Sequence, residues 1–474
     1  MRVLLLLMVL FGASCANPSG MVDSNPPIGG SQTDNGIISY IDQRLEEEYY
    51  WLEEVNQKSN LFQRRLPWDE YLTNALSKLS SNDDDGGYDS RGQQYYYSYI
   101  RELNASTRSE VNGFGILLHY TLMLMDEEHR RLGFVVETVY PDSPAAMAGL
   151  RRGDVITAVN GSYPTTSEYI NLFNGIQLNT LSSLNITYVR GTEGYKEYGA
   201  TIAKGAYSET PVVYSEIIEP EGYERKIGYL VYTSFEGEYD QELLSCFEEF
   251  ASAGVEELIL DLRANGGGAV ASVIKLCSAM LPSSYEGKVI CAVKRNKKNV
   301  KQPEESEFLL ENTGALLSLE RITVLCSENS ASASELVIMG LRGLDFPVRL
   351  IGSQTEGKNC GMDVSRKKIN GREYEYAPIT FMCLNAKGVG DWGEGVAPDV
   401  DLTEDNSFGV SDAHYPIPRA DWGDEHHDIA LAVALADITG RGISAKTRSV
   451  AYSDLATMTT QRPSVGGLKI FVEE

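Results

Sequence analysis

Residues 322–335 read Ile-Thr-Val-Leu-Cys-Ser-Glu-Asn-Ser-Ala-Ser-Ala-Ser-Glu. A short apolar, β-favouring run gives way to a polar turn, and from Ser332 to about Leu341 the apolar positions take helical spacing. A strand-turn-helix unit of this kind exposes hydroxyls where the first helical N–H groups lack partners and the helix dipole favours a developing anion. Serines also cap helices routinely, so Ser330 and Ser332 have a purely structural reading beside the chemical one. A serine nucleophile needs a base, and the core offers no histidine before His414. A buried lysine can serve, because desolvation disfavours the ammonium and lowers its pKa. Lys358 is that candidate, closing Gly352-Ser353-Gln354-Thr355-Glu356-Gly357-Lys358 directly after the apolar run 348–351.

Outward from this unit, strand and helix patterns alternate. Residues 227–235, 257–262, Ile322–Cys326 and 348–351 read as strands; 241–253, 269–281 and about 332–341 read as helices. The expectation is an α/β core over residues 206–405. Two β-rich stretches flank Asn370-Gly371, a two-residue hairpin signal that pairs Ile369 with Arg372. Continued along the strands, that register sets Cys360 opposite Phe381, with Cys383 one diagonal step away, in disulfide reach if the strand carries a bulge.

Upstream, residues 111–205 turn to short strands. Gly113-Phe114-Gly115-Ile116 and Ser143-Pro144-Ala145-Ala146-Met147-Ala148-Gly149-Leu150, followed by Arg152-Gly153-Asp154-Val155-Ile156, resemble a PDZ domain. Pro144 suits the start of a short helix and Gly149 its end. The resemblance implies that the backbone amides of Gly113, Phe114, Gly115 and Ile116 hold a peptide's terminal carboxylate while the peptide adds as a strand. Residues 37–110 read as a small helical module, with one amphipathic helix over 37–56 and another near 68–79.

The Ser-Ala-Ser-Ala-Ser-Glu segment, the Gly357-Lys358 pair and Asp261-Leu262-Arg263-Ala264-Asn265-Gly266-Gly267-Gly268 resemble the carboxyl-terminal processing proteases, the S41 serine peptidases. Gly393-Glu394-Gly395-Val396-Ala397-Pro398-Asp399-Val400 is similar to that family's last core strand. The resemblance implies Ser332 as nucleophile, Lys358 as general base, and an oxyanion hole from the amides of Gly267 and Ala333, with no cofactor. The family often carries a glutamine four residues after the lysine to orient its amine; here that position is Met362. The intact Ser332 and Lys358 favour a serine endopeptidase. Met362 favours the alternative, a non-catalytic peptide-binding lipoprotein that keeps the protease fold.

At the start of the chain, Arg2 precedes a nine-residue apolar run, 3–11, and then Gly12-Ala13-Ser14-Cys15. Nine residues are too few to span a bilayer, so 1–14 reads as an export signal. Small residues before Cys15 resemble a lipobox, which implies a lipidated Cys15, a flexible tether over 15–36, and a membrane-anchored lipoprotein of the cell envelope or periplasm. Residues 406–474 are left as a C-terminal segment. The 474 residues hold 41 Lys plus Arg against 67 Asp plus Glu, a net charge of −26. Such a surface repels phosphate backbones and excludes nucleic acid as a partner; protein or peptide substrates with apolar C-termini fit better. The five histidines lack metal-ligand spacing and no CxxC occurs, so a metal centre has no support. Gly352 through Asn359 misses a phosphate-binding loop by the Ser/Thr that would hold magnesium.

Overall fold

A computed structural model describes residues 35–81, 84–88, 94–103, 111–126, 131–165, 169–313, 317–403, 407–408, 420–443, 457–459 and 469–472. The proposed signal, Cys15 and His414 lie outside these residues. A six-stranded sheet forms the centre, in the order Val212–Ile218, Lys226–Tyr232, Val255–Asp261, Ile322–Cys326, Val348–Gly352 and Val400–Asp401. Its first pair is antiparallel and the rest are parallel. Alternate residues explain why the strands are apolar throughout. Leu230, Leu258, Leu260, Val324 and Leu350 face the helices Asp240–Ala253, Val270–Met280 and Ala333–Gly343. Ile227, Tyr229, Ile259, Leu325 and Ile351 face the opposite side, as a sheet covered on both faces requires.

That opposite side is covered by the helix Ile429–Thr439, buried along nearly its whole length and capped by Asp428, whose side chain accepts from Leu431 N–H. The α/β core therefore extends past residue 405 into the segment expected to stand outside it. An Ala-Leu-Val helix apolar all round is itself a core signal.

The PDZ-like region forms an antiparallel sheet ordered Thr457–Thr459, Ile116–Asp126, Arg131–Val139, Asp154–Val159, Ser183–Arg190 and Lys196–Ala203. Pro144 opens a one-turn helix capped by Ser143, and Gly149 follows it at φ 81°. The helix Tyr169–Gln177 packs across the sheet through Phe173 and Ile176, the Phe173 ring meeting that of Phe134 edge-on at 5.7 Å.

The N-terminal region departs from the expected module in two ways. The helix over 37–56 breaks into Asn35–Glu47 and Leu52–Lys58. Tyr50 N–H leaves the helical ladder to donate to Ile379 C=O at 2.9 Å, and the Tyr49 hydroxyl donates to Asp85 at 2.7 Å, so tertiary partners outcompete the local period. The region is also not purely helical. Tyr99–Leu103 is the third strand beside Arg372–Ala377 and Ser365–Ile369, and one apolar cluster joins Ile41, Tyr71 and Ile100 to Cys360, Met362 and Ile379. The second predicted helix is Trp68–Leu76.

Asn370 at φ 50° and Gly371 at φ 85° make the expected hairpin turn, with Ile369 opposite Arg372. Further along, an irregularity between Gly361 and Met362 shifts the pairing, so Cys360 faces Met382 instead of Phe381. No bridge to Cys383 forms: Cys360 and Cys383 are both buried free thiols.

Candidate active site

Three loops that follow the carboxyl ends of three adjacent parallel strands meet at one place. In an open parallel sheet this is where ligands are received. The strand Val255–Asp261 leads into the glycine loop, Ile322–Cys326 into the serine turn, and Val348–Gly352 into the lysine loop.

The serine turn separates its three serines by chemistry. Ser330 Oγ donates to Leu262 C=O at 2.8 Å, and Ser334 Oγ donates to Asn265 C=O at 2.9 Å. Both pin the turn to the glycine loop. Ser332, between them, is buried, and its Oγ has no hydrogen-bond partner among the described residues. Its backbone sits at φ 62°, ψ −112°, a strained conformation for a residue with a Cβ. The turn thus holds one hydroxyl unsatisfied at the N-terminus of the helix Ala333–Gly343 and uses its neighbours to keep it there. Ala333 opens that helix, so its amide belongs to the first turn, which has no intrahelical acceptors.

Glu335 joins the serine turn to the lysine loop, and the sequence reading missed it. Its carboxylate is fully buried. Oε2 accepts from Ser332 N–H at 2.7 Å and from Lys358 N–H at 2.9 Å; Oε1 accepts from Thr355 Oγ1 at 2.6 Å and Gly357 N–H at 2.7 Å. One carboxylate oxygen therefore holds the backbones of Ser332 and Lys358 side by side. Burial pushes this carboxyl up to about 7, against the opposing pull of its four donors. Gly357 lets the loop pass: at φ 96° a Cβ would collide with Gly393 C=O and Gly395 N–H. The signal available in sequence was the glutamate three residues after Ser332, a capping spacing.

Lys358 is buried, with 1% of its surface exposed. Burial lowers its pKa to about 8, while Cys360, Asp85, Cys383 and Glu356 pull the other way. Met362 lies in the apolar cluster of the N-terminal region and offers the amine no hydrogen bond acceptor of the amide kind. The N-terminal region supplies another contact: Lys358 Nζ sits 4.6 Å from the centre of the Tyr97 ring. Tyr97 and Tyr95 both direct their hydroxyls to Glu356 in the lysine loop. Nearby Asp85, raised to about 6 by burial, accepts from Tyr49, from Ser98 N–H and from Ser98 Oγ.

The glycine loop differs from expectation. Gly267 N–H donates to Asn265 Oδ1 at 2.8 Å, so this expected oxyanion donor is already engaged. Asn265 is itself held by Tyr232 C=O, to which its Nδ2 donates at 2.8 Å. The loop's entry is fixed by Arg263, which is bidentate on Asp261 and on Asp428 with all three side chains buried. Arg152 of the PDZ-like region reaches the same place, 3.6 Å over the Trp422 ring, with Nη1 donating to Ala420 C=O at 2.8 Å.

The proposed carboxylate loop is covered as well. Phe114 N–H donates to Asn179 Oδ1 at 2.9 Å, Gly113 pairs with Gly205, and Gly115 C=O accepts from Tyr140 N–H. The side chains of Phe114 and Ile116 are buried in the domain's core, so neither presents a surface to an incoming C-terminus.

Residues 226–402 match the model of peptidase family S41, and residues 135–174 match a PDZ domain. A Staphylococcus aureus protein described as "Probable CtpA-like serine protease" is 24% identical over 354 residues, covering 73% of this chain and 64% of the relative. A Staphylococcus epidermidis protein of the same description is 25% identical over 268 residues, covering 55% of this chain and 49% of the relative. The chain spans less than two thirds of these curated relatives. A crystal structure described as "Putative S41 protease", from Bacteroides fragilis, superimposes with a TM-score of 0.64 at 21% identity, over 88% of this chain and 99% of that one, and shares its fold. The matched core, with its glycine, serine and lysine loops in that order, is thus similar to peptidase family S41, and the region ahead of it to a PDZ domain.

Proposed function

We propose that the protein is a serine endopeptidase working through Ser332 and Lys358. The observation that carries the reading is the pairing of one unpartnered, strained, buried hydroxyl with one buried lysine, their backbones held by the same carboxylate. Neutral Lys358 takes the Ser332 proton as Oγ attacks the scissile carbonyl, then returns it to the leaving amine; water resolves the acyl-enzyme by the reverse transfer. The Ala333 amide meets the oxyanion at the helix N-terminus, joined by Gly267 N–H once Asn265 Oδ1 yields it. Glu335 is a positioning residue. The PDZ domain brings in protein substrates by strand addition, with apolar C-terminal tails as the better match to a chain of net charge −26. Lipidated Cys15 tethers the enzyme to a membrane of the cell envelope, where its substrates are envelope or periplasmic proteins. Among the described residues no helix is long and apolar enough to cross a membrane. Met362 favours the second reading, a peptide-binding lipoprotein without turnover; the intact Ser332 and buried Lys358 weigh against it.

The test incubates the chain from residue 35 onward with unfolded protein substrates between pH 6 and 10. Cleavage is expected to rise through an apparent pKa near 8, because the base must be neutral and lies near 8 by burial. It is expected to vanish in Ser332→Ala and equally in Lys358→Arg, whose guanidinium keeps its proton. Cleavage that persists in either variant excludes the dyad.

A further inference from the structure

Two stretches late in the chain occupy the two sheet edges where this fold would receive a peptide. Lys469–Val472 lies between the glycine loop and the strand that begins two residues after Lys358. It pairs in parallel with Gly267–Ala269, Gly268 opposite Ile470, and in parallel with Cys360–Asp363, Met362 opposite Phe471. Its main chain therefore runs through the slot that separates the proposed oxyanion loop from the lysine-bearing element. Thr457–Thr459 pairs antiparallel with Ile116–Asp126, Met458 opposite Leu122. That strand leaves the Gly113-Phe114-Gly115-Ile116 loop, and it is the edge to which a PDZ domain adds a ligand strand in antiparallel sense.

We propose that Thr457–Thr459 and Lys469–Val472 are the enzyme's own inhibitory strands, docked as substrate mimics at the two edges; this rests on the peptidase reading above. The argument is one of main-chain accounting. A strand inserted between two others satisfies backbone groups on both sides of the slot, and an extended substrate would need those same groups. The competition is intramolecular, with an effective concentration of order mM for a short connection. A free peptide of ordinary affinity then displaces the segment poorly, whereas a polypeptide long enough to take the PDZ edge first strips Thr457–Thr459 and weakens the hold on the slot. The segment so makes turnover conditional on a substrate that engages both sites.

The experiment compares the full chain with its Ile470→Pro variant. Proline removes a ladder donor and is not accommodated in a central strand. Three readouts are taken: kcat/KM on a short internally quenched peptide, hydrogen exchange of the amides at 469–472, and inhibition by a synthetic peptide Val-Gly-Gly-Leu-Lys-Ile-Phe-Val-Glu-Glu. Expected are protection of those amides in the full chain, its loss in the variant, at least a five-fold gain in kcat/KM, and reversal of that gain by the peptide through a raised KM. A variant with equal or lower kcat/KM and a native melting transition overturns the proposal, since the strand is then structural. Unprotected amides at 469–472 in the full chain overturn it whatever the activity. Protection that the variant loses, with no cleavage by either form, leaves the docked strand standing and fails the peptidase reading alone. Met458→Pro, at the other edge, gives an independent check should Ile470→Pro not fold: about a two-fold gain is expected on long substrates, and none overturns the PDZ half of the proposal.

Discussion

The molecule uses the same device twice, with different partners. At the candidate active site, the amide of Gly267 is held by Asn265 Oδ1 from two residues away; in the PDZ domain, the amide of Phe114 is held by Asn179 Oδ1 from a distant loop. In both places a neutral amide oxygen sits where an anionic oxygen is expected to arrive. The local pair is locked, because Asn265 is buried and anchored by Tyr232 C=O, with Ala331 N–H and Ser334 Oγ donating to its backbone. Asn179 sits at φ 53° just past the helix Tyr169–Gln177, its N–H donating to Ile176 C=O, its side chain hydrogen-bonded to Tyr207 and its carbonyl accepting from Lys204. Releasing the first amide asks a buried loop to rearrange; releasing the second asks a half-buried residue at a helix end to move.

The largest test of this contrast is Glu335→Gln. The amide side chain offers one acceptor oxygen where the carboxylate serves four donors through two. A drop of about 10²-fold in kcat with KM nearly unchanged is expected from misplacing reacting groups by a fraction of an ångström. An equal loss in KM instead would mean that the loops act in binding. A smaller effect, about two- to five-fold, is expected from Asn179→Ala. Freeing Phe114 N–H should tighten binding of peptides with a free C-terminal carboxylate, as read by calorimetry, and leave amidated peptides unchanged. Should both peptides respond alike, the loop is not a carboxylate site. The smallest effect belongs to Tyr97→Leu. The ring face favours the ammonium, so its loss should move the acid limb of the rate profile down by about half a pH unit. An unmoved limb would place Tyr97 outside the base's environment, and a shift upward would show that the ring does not favour the ammonium.

Much of the candidate active site was legible because it obeys local rules. The strand Ile322–Cys326, the helix beginning at Ala333 and the strand starting at Val348 follow from apolar period and turn chemistry, and they carry Ser332 and Lys358 to adjacent strand ends. What stayed hidden is what depends on distant partners. Nothing local announces that Tyr97 reaches Lys358, that Asn179 covers Phe114, or that Tyr50 breaks its helix to bond Ile379. Glu335 lay between these cases: its capping spacing was visible, but not that its oxygens would also gather Thr355, Gly357 and Lys358. The bulge at Gly361 defeated the cysteine register for a related reason, since a single added residue propagates along a strand without leaving a mark in composition.

The burial of Lys358 has an evolutionary consequence. Its folded-state pKa of about 8 lies below the ordinary 10.5, so the folded chain binds that proton less tightly than the unfolded one does. The penalty is complete below pH 8, where both states carry the proton, and fades between about 8 and 10.5, where the folded chain has released it and the unfolded chain still holds it. At neutral pH it is about 3 kcal/mol at the usual 1.36 kcal/mol per pH unit, a sizeable part of a domain's net stability. Lys358→Met should accordingly melt several degrees higher than the parent at pH 7, and the gap should narrow by pH 10. Drift left to stability alone would replace this lysine readily, so a lineage that retains it does so against a standing thermodynamic incentive to become an inert binding protein.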